Sequence, residues 1–262
     1  AVAVRLERDG VIRNAAAALL LIRWSVRDKA IREGTYQVSA AERADRVLLH
    51  FIESRPLRQN VLIREGLWAE EVAKILEERE VASAEEFMSL VAKPQEFEGV
   101  VSFALPKDSL EGYLFPDTYE FRVDTTPEEI IRTMLDNFDR RVPPELRARA
   151  AERGLNLHQV LTIASIVERE AVIPEERPII ASVFYNRLRQ NMPLQADPTV
   201  QYFMGQPGNW WPEITQEDIQ RQHVYNTYQH TGYPPGPICN PSLASIEAAI
   251  NPADTNYLYF VT

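Results

Sequence analysis

Two carboxylates stand close together in an apolar stretch of the sequence, IASIVEREA at residues 163–171. Glu168 and Glu170 lie on either side of Arg169. A carboxyl group that borders apolar surface is costly to ionise, and this cost raises its pKa. A carboxyl group with a raised pKa can act as a general acid near neutral pH. Acid–base chemistry is therefore a candidate activity for this segment.

The helical projection does not decide which glutamate would carry the chemistry. At about 100° per residue, Glu168 and Glu170 point roughly 200° apart, so they cannot form one close pair. Glu170 falls at one edge of the apolar arc and Glu168 falls at the other. Charge pairs on helix surfaces are common, so both acids could equally be partners of nearby arginines, namely Arg169, Arg177 and Arg187.

These glutamates need a buried helix to hold them, and residues 155–172 give the most apolar helical pattern in the chain. An amphipathic helix is predicted over 126–142, with Thr126 as its N-cap and Pro127 at its first position. Residues 192–241 are rich in Pro, Gly, Asn, Gln, Tyr and Trp, with little periodicity. A loop-rich region of this length in a compact domain is usually functional.

The first 93 residues are rich in helical patterns with short strand signals. The tetrapeptide IREG occurs at 31–34 and at 63–66, each time before a helical stretch. The second copy predicts a strand ending in a glycine turn, followed by two short helices. Ser83 and Glu86 form a capping-box signature for the second of these helices. Two interpretations stay open: one α+β domain with an accidental repeat, or a small polysaccharide-binding module of LysM type.

Composition and charge exclude several classes of function. The chain has 262 residues and a net charge of −10, which argues against a nucleic-acid partner. Cys239 is the only cysteine, so the chain can form neither an intrachain disulfide nor a thiolate metal cluster. The histidines lack metal-ligand spacing, and the sequence has no phosphate-binding loop, so no metal and no cofactor are predicted. The apolar stretch 15–22 is too short to span a bilayer and predicts one buried helical face.

Several segments resemble, in order and in spacing, the successive motifs of the endolytic murein lytic transglycosylases. The segments are EGYLFPDTYEF (111–121), IASIVEREA (163–171), SVFYNRLRQNMPLQADPTVQY (182–202), YNTYQHTGYPPGPICNPSLASIEAAINP (225–252) and YLYFV (257–261). The N-terminal unit is similar to the LysM-like subdomain of that family.

The resemblance implies cleavage of the β-1,4 bond between MurNAc and GlcNAc inside nascent peptidoglycan strands, leaving a 1,6-anhydroMurNAc end. It implies one essential glutamate, which matches Glu170, while Glu168 matches the other acid of the motif. It also implies a single-pass membrane protein with its catalytic domain outside the cytoplasm. The membrane anchor would lie before residue 1, and peptidoglycan synthases are candidate partners.

A single glutamate is sufficient when the substrate supplies its own nucleophile, here the 6-hydroxyl group of MurNAc. Glu170 would protonate the leaving glycosidic oxygen and then deprotonate that hydroxyl group. Polar and aromatic side chains of the loops are the candidates for holding the sugars: Gln195, Asp197, Thr199, Tyr225, Asn226, Thr227 and Tyr228. Three residues are candidate supports, which either orient Glu170 or only cap and pair: Glu168, Asn186 and Arg187.

The predicted fold class is α+β. Residues 1–56 form an N-terminal helical or mixed segment, 57–93 the LysM-like subdomain, and 94–262 the catalytic domain around a central catalytic helix. The end of the chain predicts a helix and then a short strand. Two other functions stay open: a muramidase-like glycoside hydrolase, for which Asp197 is the strongest second carboxylate, and a non-catalytic peptidoglycan-binding scaffold.

Overall fold

The computed structural model of the chain describes residues 2–25, 35–38, 41–43, 45–47 and 57–261. The described residues are mostly helical and include a small two-stranded sheet, which agrees with the predicted α+β class. The chain divides into two compact units, one of Ala1–Asn60 and Glu120–Thr125, the other of Val61–Tyr119 and Thr126–Thr262. The first IREG copy and most of the helical stretch predicted after it lie outside the described residues.

The first unit contains helices α1 (Val2–Arg8) and α2 (Ala15–Ser25). Its core consists of small and aliphatic side chains: Ala3, Leu6, Ile12, Ala15, Ala18 and Val47. Of the face predicted to be buried over 15–22, Ala15 and Ala18 are buried at helical spacing, whereas Leu19 and Leu20 are exposed. Among the described residues, no helix has the length and apolar character needed to cross a membrane.

Strands β1 (Arg58–Leu62) and β2 (Thr118–Arg122) form the sheet. The N–H of Ile63 donates to the carbonyl of Asp117 (3.0 Å), and the N–H of Val123 donates to the carbonyl of Leu57 (3.2 Å), so the strands run antiparallel. The chain after β1 turns at Gly66, whose φ of +76° is left-handed, as the predicted glycine turn requires.

Two short helices follow, as the sequence predicts. Helix α3 spans Ala69–Glu78 and helix α4 spans Ala84–Val91. The Ser83 hydroxyl oxygen accepts a hydrogen bond from the Glu86 N–H (3.4 Å) and so caps α4. The two helices pack against each other through their apolar faces. This arrangement does not test the LysM resemblance, which stays a prediction.

Helix α5 spans Pro127–Arg141 and helix α6 spans Pro144–Glu152. The predicted N-terminus of α5 is confirmed, because Thr126 and Glu129 form a reciprocal capping box with hydrogen bonds of 3.2 and 3.1 Å. Three single-turn 3₁₀ segments also occur in the described chain: Pro94–Phe97, Pro174–Glu176 and Asp218–Gln220.

Helix α7 (Leu157–Glu170) lies at the centre of the second unit, as predicted for the catalytic helix. Asn156 caps its start, where the side-chain oxygen accepts from the Gln159 N–H (2.9 Å). All side chains from 160 to 167 are buried. Helix α6 packs against α7, and so do the three helices that follow α7 in the chain.

Those three helices are α8 (Arg177–Arg189), α9 (Asp197–Met204) and α10 (Leu243–Ile250). Helix α9 was missed by the sequence analysis, which predicted irregular structure over 192–241. It has only eight residues and begins with Asp-Pro, which favours both a turn and a helix start. The predicted C-terminal helix is confirmed, but the strand after it is not. Residues 252–261 form neither helix nor strand and pair in no ladder with another described segment.

Candidate active site

The last turn of α7 directs its two glutamates to different neighbours. Glu168 accepts hydrogen bonds from the backbone N–H (2.9 Å) and the hydroxyl (2.5 Å) of Ser242, the N-cap of α10. Its other oxygen lies 3.9 Å from the guanidinium of Arg177. Glu168 therefore connects α7 to the start of α10, where a negative charge also complements the helix dipole. The Glu168 carboxylate therefore already has hydrogen-bond and charge partners within the protein.

Glu170 is the final residue of α7 and is largely buried. Burial and, after it, the charge of Asp197 raise the pKa of its carboxyl, the charge of Arg187 lowers it, and the result is a pKa of about 7. A carboxyl group with this pKa is substantially protonated at neutral pH. It can therefore donate a proton and take one back within the same reaction.

Asp197 begins α9, and its carboxylate accepts a hydrogen bond from the hydroxyl of Tyr228. Burial raises the pKa of that tyrosine, and its hydrogen bond to Asp197 and the charges of Asp197 and Glu170 raise it further. Tyr228 is therefore a neutral hydrogen-bond donor, and its hydroxyl lies in the same electrostatic environment as Glu170. The sequence places Glu170, Asp197 and Tyr228 far apart, and the fold brings them together.

Gln195 joins this group through strained backbone. Its φ of +51° lies in the left-handed region, which is uncommon for a residue other than glycine. Its N–H donates to the Thr227 carbonyl (3.0 Å), and its side-chain oxygen accepts from Arg187 (3.5 Å). Strained residues are frequent in active sites, where the surrounding structure holds them in place. We refer to Glu170, Arg187, Gln195, Asp197 and Tyr228 as the Glu170 cluster.

The two supporting residues on α8 hold other segments in place. Arg187 is buried and donates to the carbonyls of Leu194 and Leu258, both at 2.7 Å. Asn186 is buried and donates to the carbonyls of Thr255 (2.9 Å) and Tyr257 (2.7 Å). Arg187 therefore has two functions, since it fixes the backbone on both sides and its charge also acts on Glu170.

Three of the predicted sugar-contacting residues are buried within the protein. Thr199 and Thr227 share a hydrogen bond between their hydroxyl groups (2.8 Å), and Thr227 also accepts from the N–H of Ala196 (3.0 Å). Asn226 donates to the carbonyls of Ile219 (3.1 Å) and Arg221 (2.7 Å). The bonds of Thr227 fasten the loop to the start of α9, and those of Asn226 fasten it to the 3₁₀ segment at 218–220 and the residue after it. A direct sugar contact by any of the three would need the side chain to become exposed.

Tyr225 faces a different environment from Tyr228, although the two belong to the same four-residue motif. It lines a cavity of about 370 Å³ whose walls also include Glu111, His158 and Tyr202. Burial and the charges of Glu111 and Asp108 raise the pKa of Tyr225 to about 12. Glu170 does not belong to the described lining of this cavity. Its assignment as the candidate acid therefore depends on its burial and on the charges of Asp197 and Arg187.

Glu111 is a second buried acid and was not among the residues predicted from the sequence. Burial raises its pKa to about 8, although its carboxyl accepts from the Ala69 N–H at the start of α3 (3.0 and 3.1 Å). The side chain of Asn240 also donates to it (3.1 Å). These contacts give Glu111 a structural role as a cap for α3. The only signal in the sequence was its position in the motif EGYLFPDTYEF.

An aromatic cluster packs beside the same end of α7. The ring of Trp68 contacts Tyr202 (4.8 Å between centroids), Trp210 and Trp211 (both 5.2 Å). The guanidinium of Arg169 lies 4.0 Å from the centre of the Trp211 ring. This cation–π contact attaches the last turn of α7 to the loop after α9. Among the described residues, no group of three or more His, Cys, Asp or Glu side chains could hold a metal ion.

Comparison with known proteins gives matches over the whole chain and over part of it. Residues 1–262 match the family model described as the YceG-like family. The chain is 44% identical over 156 residues to a Bacillus subtilis (strain 168) protein named endolytic murein transglycosylase. It is 41% identical over 154 residues to a protein of the same name from Streptococcus pneumoniae serotype 2 (strain D39). These alignments cover 59% and 58% of this chain but only 42% and 28% of the relatives.

Among solved structures, the fold is similar to that of a yceG-like protein from Listeria monocytogenes. The two chains are 30% identical with a TM-score of 0.70, and the match covers 100% of this chain and 89% of the other. The chain spans less than half the length of these two relatives. Their names describe the whole proteins, of which this chain matches only a part.

Proposed function

Because this chain belongs to the YceG-like family, we propose that it is an endolytic murein transglycosylase that cleaves MurNAc-β-1,4-GlcNAc bonds within peptidoglycan glycan strands. The main support is the environment of Glu170, a largely buried carboxyl at the end of the central helix with a pKa of about 7. Such a group is available both as an acid and as a base at neutral pH.

In the proposed reaction, Glu170 donates its proton to the glycosidic oxygen as the bond from that oxygen to C1 of MurNAc breaks. The 6-hydroxyl oxygen of MurNAc forms the new bond to C1. Its proton passes to the Glu170 carboxylate, which returns the enzyme to its starting form. The products are a GlcNAc 4-hydroxyl end and a 1,6-anhydroMurNAc end. No water is consumed, and no covalent enzyme intermediate is required.

The other members of the Glu170 cluster have roles that follow from their contacts. The charge of Asp197 adds to burial in favouring the protonated form of Glu170 before the bond breaks, and it is suited to stabilise positive charge that develops at C1. Gln195 and Tyr228, which contact Arg187 and Asp197 of the same cluster, are proposed to contact sugar hydroxyl or N-acetyl groups. Thr199, Asn226 and Thr227 are proposed to act indirectly, by holding the loop that carries Tyr228.

Mass spectrometry of uncrosslinked peptidoglycan strands tests this proposal. Wild type should make internal cuts that end in 1,6-anhydroMurNAc, and Glu170→Gln should make none. Glu168→Gln is the matched control, since it removes the charge two residues away and should retain most activity. Equal loss in both folded variants would contradict the assignment of Glu170 as the sole catalytic acid.

The mass of the product separates the proposal from its alternatives. A reducing end is heavier than an anhydro end by one water, and it would indicate hydrolysis with Asp197 as the second carboxylate. Strands that bind without being cut would indicate the non-catalytic scaffold. Asp197 lies close enough to Glu170 to change its pKa, so the hydrolytic alternative has a structural basis and this measurement is decisive.

The setting of the reaction is also a proposal. Peptidoglycan lies outside the cytoplasm, so we propose that the catalytic domain works there, attached through an anchor before residue 1. A LysM-like subdomain at 57–93 would add glycan affinity, and peptidoglycan synthases are the proposed partners. Crosslinking of the full-length protein in growing cells should recover a synthase, and recovery of none would contradict the partnership.

A further inference from the structure

The extended segment 255–261 is held rigidly against α8 by side chains that also support the Glu170 cluster. Asn186 and Arg187 bind three of its carbonyls at 2.7–2.9 Å. The Phe260 ring packs edge-on against Phe184, with centroids 5.7 Å apart. The backbone is therefore fixed before any ligand arrives, so a contact made by this segment would cost little ordering entropy.

Side chains from 257 to 261 alternate in exposure, as in an extended chain. Leu258 and Phe260 are half-buried, whereas Tyr257 and Tyr259 are 60% and 71% exposed. Two aromatic rings are thus presented outward on a rigid backbone. The motif YLYFV that contains them has no role in the mechanism given above.

Arg187 connects Tyr259 to the catalytic end of α7. Its guanidinium lies 5.0 Å from the centre of the Tyr259 ring, within the range of a cation–π contact. The charge of the same guanidinium acts on Glu170. The same guanidinium donates to the Gln195 side-chain oxygen (3.5 Å) and to the Leu194 carbonyl (2.7 Å). The exposed tyrosine is therefore in contact with a member of the Glu170 cluster.

We propose that the Tyr259 ring is a stacking platform for one sugar ring of the glycan strand, next to the bond that is cleaved. The proposal extends the function proposed above and depends on it for the identity of the ligand. A pyranose presents a face of C–H groups, and these carry the slight positive charge that the negative face of an aromatic ring attracts. The tyrosine hydroxyl group adds a hydrogen-bonding group at the ring edge.

The proximity of the Glu170 cluster favours a glycan over the other occupants of an exposed tyrosine. Tyrosine is also common at membrane interfaces and in protein contacts, but neither of those partners has a reason to lie against a residue of the Glu170 cluster, as Tyr259 does through Arg187. A sugar bound at Tyr259 would hold the strand against the Glu170 cluster, and this would help to position the scissile bond.

Steady-state kinetics on uncrosslinked strands should separate binding from chemistry. We expect Tyr259→Ala to raise KM about tenfold while kcat stays near the wild-type value, and Tyr259→Phe to remain within about threefold of wild type, because the ring is kept. Tyr259→Leu, which keeps apolar bulk without a ring, should resemble the alanine variant. Tyr257→Ala is the control, because that ring is similarly exposed on the same segment. All variants should melt close to wild type.

Direct binding keeps this inference separate from the proposed reaction. Strand binding is measured with Glu170→Gln and with the double variant Glu170→Gln/Tyr259→Ala, neither of which needs to turn over. Tenfold weaker binding by the double variant supports the platform even if wild type makes a different product. Unchanged binding, no binding of strands to Glu170→Gln, or equal losses for Tyr257→Ala and Tyr259→Ala would each overturn the proposal.

Discussion

Replacing Glu170 with glutamine should stabilise the folded protein above neutral pH even though it removes the catalytic proton. The reason is that the wild-type carboxyl is largely buried, and burial makes ionisation costly. Glutamine has nearly the same size and shape but carries no charge at any pH. The substitution therefore removes the cost of a buried carboxylate without leaving a cavity.

The size of the effect follows from the pKa of Glu170, which rises from 4.5 to about 7 on folding. Between these values the folded state binds more protons than the unfolded chain, so the free energy of unfolding falls as pH rises through this range. One pKa unit is worth 1.36 kcal/mol, which gives roughly 3 kcal/mol once the group is fully ionised. Because part of the side chain meets solvent, we expect about 2–3 kcal/mol above pH 8.

Urea unfolding followed by circular dichroism at pH 4.5 to 8.5 measures this difference. Wild type and Glu170→Gln should have equal stability near pH 4.5 and diverge as the pH rises, with the variant more stable. Glu168→Gln is the control and should change in the opposite direction. It weakens charged hydrogen bonds to Ser242 (2.5 and 2.9 Å), so we expect a loss of about 1–2 kcal/mol at pH 7.5.

Parallel stability curves for wild type and Glu170→Gln would refute the reasoning. They would mean that Glu170 ionises in the folded protein as it does in water. In that case the carboxyl would be almost fully ionised at neutral pH, and its assignment as general acid would lose its physical basis. A variant less stable than wild type at pH 8 would have the same consequence.

Three further predictions concern other residues. Asp197→Asn removes a charge that raises the pKa of Glu170, so the alkaline limb of kcat/KM against pH should move to lower pH. A pH profile identical to wild type would contradict the coupling. Gly112→Ala should cost about 2–4 kcal/mol of stability, because φ is +84° and the new Cβ would lie 2.4 Å from Pro237, and urea unfolding measures this cost. Asn240→Ala should cost about 3 kcal/mol in the same assay, since its buried side chain makes four hydrogen bonds, two accepted and two donated.

Local sequence was sufficient for several elements of the second unit. Ser83 and Thr126 cap the helices that they were predicted to cap, because a cap depends on residues three positions apart. The different directions of Glu168 and Glu170 also follow from helix geometry alone. Helix α9 was missed, because eight residues that open with Asp-Pro in a loop-like composition carry too little periodicity to indicate a helix.

For the candidate site, the sequence predicted the segments that take part better than the surroundings of each side chain. Order and spacing of motifs indicated which segments matter, but they gave no information on which side chains face a ligand. Tyr225 and Tyr228 lie three residues apart and belong to different environments. Thr199 and Thr227 turned out to bond to each other inside the protein. These outcomes depend on the packing of the loop against α9.

The sequence by itself therefore determined the longer helices, the caps at Ser83 and Thr126 and the presence of two acids at the end of α7, since these depend on neighbours within a few residues. Only the folded chain gives Glu168 and Glu170 different surroundings, and these decide which of the two is suited to be the general acid. There Ser242 approaches Glu168 with two hydrogen-bond donors, while Asp197 and Arg187 approach Glu170 with opposite charges. A pKa depends on burial and on charges brought from distant positions, and only tertiary structure brings them together.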